Sequence, residues 1–228
     1  MLALKLGMSL VSSNGPSGSW TPTDEGSLEA WYQNAVGITL NGSDVSQWAD
    51  SSSKDNHMAQ ATAGQRPAYA AGVLTFTAAN KDNLEATSQM ELSGAFTIGF
   101  KFNPTATNTV IIGDNTLAGE FFKYSTTSRI VVKIDNVSKN LNLDSGTFGD
   151  DYIVIARDSS NVITLYQNGT AQSAPQTLAG TADVDAIGVR MGASQDTNPF
   201  DGTIEEVQIY SSESAALTAN VNDRLAGI

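Results

Sequence analysis

Proton transfer and nucleophilic attack need acidic, basic or nucleophilic side chains held close together on one face, and this chain offers few such arrangements. Glu205 and Glu206 are adjacent in a segment patterned as a strand, so their carboxylates should turn to opposite faces and cannot act on one bond. Asp150-Asp151 meets the same objection and reads as a solvated turn. His57 is the one histidine, which removes a histidine-rich zinc site and makes any Ser-His-Asp triad depend on it. No G-x-S-x-G turn presents a serine, and His57 directly follows SSSKDN, so it reads as a polar turn residue leading into a strand. With 0 cysteines the chain has no disulfide, thiolate metal site or cysteine nucleophile. No glycine-rich loop matches G-x-G-x-x-G or ends in Gly-Lys-Ser/Thr, so nucleotide chemistry is not indicated. These residues point to a protein that is not an enzyme.

The elements that would carry any site are mostly strands. In AFTIGFKF, Phe96, Ile98, Phe100 and Phe102 share one face while Thr97, Gly99 and Lys101 share the other, the pattern of a half-buried strand. SRIVVKI groups Ile130, Val132 and Ile134, and DYIVIAR and VITLYQNG are rich in β-branched and aromatic residues. TVIIG, EFFKY, IGVRMGA and TIEEVQIY are further predicted strands. Asn168-Gly169 suits a tight type I′ turn, and turn residues recur between the runs as in an antiparallel sandwich. One helix is expected at the end, where Leu217, Val221 and Leu225 form a stripe between an Ser214 N-cap and a stop at Gly227, packing on the sandwich edge. A chain of 228 residues can form such a sandwich as one domain with a sizeable core. Its 24 acidic and 12 basic residues give a formal charge of −12, which repels nucleic acid and anionic membrane. No apolar stretch approaches the length that spans a bilayer.

The order LEAWYQNAVGIT, VSQWADSSSKDNH, QRPAY and VLTF from Leu28 to Phe76, with FDGTIEEVQIY from Phe200 to Tyr210, resembles laminin-G-like domains of the concanavalin A-like type. The resemblance implies an all-β fold, a jelly-roll sandwich of two antiparallel sheets with a short C-terminal helix, over residues 20–228. It places Trp31 and Trp48 in the core and makes Glu206 a structural carboxylate of the closing strand. Trp20 would cap the sandwich or mark an interface, and one ring among Phe121, Phe122 and Tyr124 would be exposed near a groove. Glucanases of this fold carry an E-x-D-x-x-E strand pattern, which this chain lacks. Several relatives bind calcium at loop rims, so the resemblance makes Asp82, Asp114, Asn115 and Asp196 calcium candidates, with Asp50, Asp55, Asn83 and Asn198 as further oxygens. Asp and Asn also favour turns for their own reasons, and the expectation is no cofactor, with calcium as the alternative.

The opening MLALKLGMSLVSSNG is a poor signal peptide, because Lys5 and Gly7 break its apolar run. It resembles the first residues of some bacteriophage virion proteins. Residues 1–13 are therefore expected to be an arm that anchors to other virion proteins through Leu2, Leu4, Leu6 and Leu10, and residues 14–19 a Gly/Ser/Pro linker. N-x-Ser/Thr sequences at Asn41, Asn136 and Asn168 are expected by chance in so Ser/Thr/Asn-rich a chain. The function expected is noncatalytic display of the module on a virion, as capsid or tail decoration. The alternative is a secreted or cell-surface adhesin that binds a cell-surface glycan, with or without calcium. A homo-oligomer is compatible with either.

Overall fold

Phe96–Pro104 shows why the chain folds in layers. Phe96, Ile98, Phe100 and Phe102 leave one face of this strand and are completely buried, each contributing about 1.5–3 kcal/mol through removal from water. Ile130, Val132 and Ile134 do the same from Arg129–Ile134, and the two sets meet in one core. The computed structural model describes residues 20–114, 120–188 and 197–228. The expected anchor residues Leu2, Leu4, Leu6 and Leu10, and the calcium candidates Asn115 and Asp196, lie outside them.

Among the described residues all strand pairings are antiparallel. In the first layer Gly202–Tyr210 pairs on one side with Phe96–Pro104 and on the other with Val73–Phe76 and then Leu28–Tyr32. Phe96–Pro104 continues the layer to Asp151–Arg157 and Val162–Gln167. The second layer runs from Met58–Ala59 through Leu84–Leu92, Ala182–Ile187, Thr109–Gly113, Phe121–Thr126 and Arg129–Ile134 to Val137–Asn142. Asp44–Trp48, Ala68–Ala70 and their partners link the layers at one end. This is the jelly-roll sandwich that the resemblance implies. Trp48 is completely buried and Trp31 nearly so. Phe102 meets Phe100, Tyr124, Phe148 and Phe200 at centroid distances of 5.2, 6.2, 6.0 and 6.5 Å, a favourable range for aromatic pairs.

The helix Ala215–Ala226 forms as the sequence predicts, with the Ser214 Oγ accepting from the Leu217 N–H at 3.1 Å. Its position differs from the expectation. Leu217, Val221 and Leu225 pack on Leu28, Trp31, Val154 and Tyr210, across the outer face of the first layer rather than on an edge. That placement also corrects the predicted wet face of Phe96–Pro104. Thr97 is completely buried and donates to the Ser212 carbonyl at 2.9 Å, while Gly99 lies under Val221. Periodicity cannot see this second covering, because Thr and Gly suit a solvated face as readily as a tightly covered one.

IGVRMGA is not the strand found here. The strand is Ala182–Ile187, and only Ile187 is common to both, Val189–Ala193 lying outside the described residues. Leu84–Leu92 also went without a clear pattern, because the pairing of these two strands shifts between Val184 and Ala186 and breaks the alternation. Asn168-Gly169 turns as expected, with φ of 49° and 77°, and the strand after it is the short Thr170–Ala171.

Candidate functional site

Under the helix, a buried polar chain ties the two ends of the family-like sequence together. The Tyr210 hydroxyl donates to Gln208 Oε1 at 2.7 Å, and Gln208 Nε2 donates to Glu206 Oε1 at 2.8 Å. Glu206 Oε1 also accepts from Trp31 Nε1 at 2.9 Å and Arg224 Nε at 3.0 Å, and Oε2 from Arg224 Nη2 at 2.9 Å and the Asn34 N–H at 3.1 Å. The hydrogen bond to Glu206 holds the Arg224 guanidinium above its ordinary value, and burial raises the Tyr210 phenol. A carboxylate so saturated has no lone pair directed at a ligand. Glu205 stands at a bulge in the strand, with Lys101 Nζ 3.8 Å from its carboxylate.

The polar turn around His57 is equally self-contained. Asp50 accepts from the N–H groups of Trp31, Ser52 and Asn56 and from the Ser52 hydroxyl, at 2.6–3.0 Å. The Asp50 N–H donates to His57 Nδ1 at 3.0 Å. Asp151, read from the sequence as part of a solvated turn, is instead buried at the start of the strand Asp151–Arg157, where it accepts from the Gly149 N–H, Gln167 Nε2 and Asn168 Nδ2. These groups stabilise turns by the local bonding that Asp and Asn favour.

Of the four calcium candidates, Asp82 and Asp114 lie among the described residues. Asp82 precedes Leu84–Leu92, accepts from the Thr77 N–H through Oδ2, and keeps a buried Oδ1 without a partner. Burial, with Asp44 and Asp201 nearby, raises its carboxyl. Asn83 beside it is engaged by Gln60 Nε2 at 2.6 Å. Asp114 follows the other end of Thr109–Gly113 and accepts from Gln89 Nε2 at 3.0 Å. Among the described residues no group of three or more His, Asp or Glu side chains is placed to hold a metal ion.

The layer without the helix exposes a different surface. Asp135-Asn136, both with positive φ, form a two-residue turn that sets Arg129 opposite Asn142, Val131 opposite Asn140 and Lys133 opposite Ser138. Since Ile130, Val132, Ile134 and Leu141 point into the core, these partners lie on the outer face. Arg129 Nε donates to Asn142 Oδ1 at 2.8 Å. On the next strand Lys123 lies on the same outer side, donating to Asn108 Oδ1 at 3.0 Å and standing 5.4 Å from the Phe121 ring centroid. The result is a band of amides and cations along the sheet. Phe121, Phe122 and Tyr124 are all buried, contrary to the expected exposed ring. Sequence reasoning passed over Arg129, Lys133, Asn140 and Asn142, although the alternation of SRIVVKI and the turn after it would have placed them.

At one side of this band the carboxylates crowd. Glu120 accepts from the Asp135 and Asp183 N–H groups, both at 2.7 Å. Burial first, then the charges of Glu120, Glu91, Asp114 and Asp135, push the Asp183 carboxyl up to about 6 from 3.8. The folded state therefore holds the proton more tightly than the unfolded chain. The associated stability is complete below the unfolded value and is lost as pH rises through the folded one. An Asp183→Asn variant, which imitates the protonated acid, should match the wild type near the acid end and melt a few degrees higher above about pH 6. Melting curves across that range check this, and parallel curves for the two proteins would refute it.

The comparisons agree with the architecture. A family profile described as the concanavalin A-like lectin/glucanases superfamily matches residues 78–220. The binding domain of Paraclostridial Mosquitocidal Protein 1 superposes with a TM-score of 0.59 at 11% identity, over 90% of this chain and 53% of that one. The botulinum neurotoxin serotype D binding domain gives 0.52 at 12% identity, over 88% and 52%. A heptameric SAP-like pentraxin from Limulus polyphemus gives 0.51 at 10% identity, over 63% and 75%. No curated protein matches the sequence. With the profile covering more than half of the residues and the sandwich folded as that family requires, the chain belongs to the concanavalin A-like lectin/glucanase superfamily.

Proposed function

We propose that this domain is a noncatalytic, lectin-like module that binds glycan on the outer face of the layer lacking the helix. The observation that carries this is the band of Arg129, Lys133, Asn140, Asn142 and Lys123 on the outer face of one sheet, over which the described residues place no helix. Amides and cations offer sugar hydroxyls both donors and acceptors, and a sheet holds them in fixed register, which limits the entropy lost on binding. The noncatalytic reading is supported by Glu206, whose oxygens are occupied, and by Glu205, which faces Lys101. The family and fold favour the glycan reading over display on a virion, whose support is the sequence of the arm and linker, residues 1–19, and the want of catalytic groups. Among the described residues no helix is long and apolar enough to cross a membrane.

A glycan array probed with the full chain, with and without a chelator, tests the proposal. Binding to a defined subset, unchanged by chelator, is expected. The double variant Arg129→Ala/Asn142→Ala should weaken it at least about tenfold, the loss of roughly one well-placed hydrogen-bonding group. An array without binding, or binding indifferent to the double variant, would remove this site.

A further inference from the structure

Asparagine is chemically labile, most of all before glycine, which has no Cβ to hold its own N–H away from the neighbouring side-chain amide. The chain carries this dipeptide as Asn14-Gly15, Asn41-Gly42 and Asn168-Gly169. The first lies outside the described residues. The other two both sit exposed at hairpin turns, so sequence and exposure make them equivalent. Their amides are held very differently.

The Asn168 carboxamide is fixed at both ends. Its Oδ1 accepts from the Tyr152 N–H at 3.1 Å, and its Nδ2 donates to Asp151 Oδ1. Rotating this amide into a reactive position breaks two hydrogen bonds, one of them to a buried carboxylate. Asn41 ends the strand Ile38–Asn41, which returns through Gly42-Ser43 to pair with Asp44–Trp48. Its side chain makes no hydrogen bond within the described residues, and the Gly42 N–H donates to no backbone carbonyl there. Gly42 has a φ of 72°, and nothing stands within 4 Å of where its Cβ would be. The Gly42 nitrogen and the Asn41 amide carbon are thus close along the chain, unengaged and open to solvent, which is the proximity that an intramolecular attack requires.

We propose that Asn41-Gly42 is a site of spontaneous modification, at which Asn41 becomes aspartate and isoaspartate while Asn168 stays intact, and that the products loosen this hairpin. The Gly42 nitrogen attacks Asn41 Cγ to form a cyclic imide, and its proton leaves with the side-chain amide as ammonia. Water then opens the ring. Attack at Cγ breaks the new C–N bond and yields aspartate, whereas attack at the backbone carbonyl breaks the original peptide bond and yields isoaspartate, with one extra carbon in the main chain. Aspartate at this position stands directly opposite Asp44, its cross-strand partner, and like charges so placed destabilise a strand pair. Isoaspartate disturbs a register that pairs Leu40 with Val45 and Ile38 with Trp48, both partners being completely buried.

Incubation of the full chain at mildly alkaline pH and physiological temperature provides the test. Tandem mass spectrometry of proteolytic fragments localises each conversion, with the fragment carrying Asn14-Gly15 scored apart, and an isoaspartyl methyltransferase assay reports the lengthened backbone. In the native protein Asn41 should convert at least about tenfold faster than Asn168, which corresponds to a barrier lower by about 1.4 kcal/mol. In the guanidinium-unfolded chain the two rates should converge, since each glycine is followed by a small hydroxyl residue, Ser43 or Thr170, and only the fold separates them. Asn41→Asp supplies the charge without lengthening the chain and should melt about 1–3 °C below the wild type near neutral pH. Asn41 left intact in the native protein, or Asn168 converting there as fast as Asn41, would overturn the assignment. Unchanged melting of Asn41→Asp would overturn the loosening of the hairpin.

Discussion

Replacing Glu206 by glutamine should destabilise the domain by about 3–5 kcal/mol, because it breaks a buried ion pair while leaving its partners in place. Glutamine keeps the volume but has one side-chain acceptor oxygen where Glu206 offers two. Trp31 Nε1, the Asn34 N–H, Gln208 Nε2 and the Arg224 guanidinium now share those two oxygens. Some of these donors would be left dry and unpaired. Arg224 is partly exposed, with 30% of its side chain accessible, so water can recover part of its loss. Trp31 cannot recover in the same way, since it is buried beside the helix. Urea denaturation measures the effect, and adding Arg224→Met should return part of the loss because the unpaired cation goes with it. A change below about 1 kcal/mol for Glu206→Gln would show that the pair is stabilised much less by its setting than the geometry implies.

Gly99→Val is the second large effect expected. A Cβ at this position would lie 2.4 Å from Val221 Cγ1 and 3.1 Å from Leu225 Cδ1. Neither neighbour sits at the free end of a long side chain, so the helix itself must lift from the sheet. Overpacking of this kind costs about 1–3 kcal/mol, and lifting the helix would also expose Leu217, Val221 and Leu225, which places the result at the upper end of that range or above it. Glycine otherwise weakens a strand interior, so its presence here marks a close approach. Val221→Ala removes the nearest methyl groups and should rescue part of the loss in the double variant. Equal stability of Gly99→Val and the wild type would mean that the helix is held less closely than the structure shows.

Both positions show where sequence reading stops. Glu206 belongs to an identifiable closing strand, and its structural role was legible because the segment resembles that of the family. Its partner Arg224 was not legible, since the two residues meet only when the helix folds back over the strand. Gly99 alternates with Thr97 and Lys101, so its period placed it correctly on the face opposite the core. That this face would be covered depended on the path of residues 211–214, for which local pattern holds no information.

The open layer divides similarly. Arg129–Ile134 and Val137–Asn142 are set by alternation and by a turn whose residues accept positive φ, so the register of the amide and cation band follows from local chemistry. Leu84–Leu92 and Ala182–Ile187 resisted reading because a shift in their pairing interrupts the period on which the inference depends. Asp82 and Asp114 looked equivalent as acidic turn residues. The fold gave them different surroundings, one with an unpartnered oxygen and the other engaged by Gln89.

By itself, then, the sequence determined the sandwich, its core aromatics, the helix and the absence of cysteine chemistry, because each depends on residue type and short-range spacing. Tertiary structure alone decided which sheet face the helix covers, which carboxylates are saturated and where polar groups remain unpaired. Those outcomes depend on contacts between residues far apart in the chain, such as Trp31 with Glu206 and Gly99 with Val221. Period and composition constrain each partner separately, and only the folded chain brings them within bonding distance.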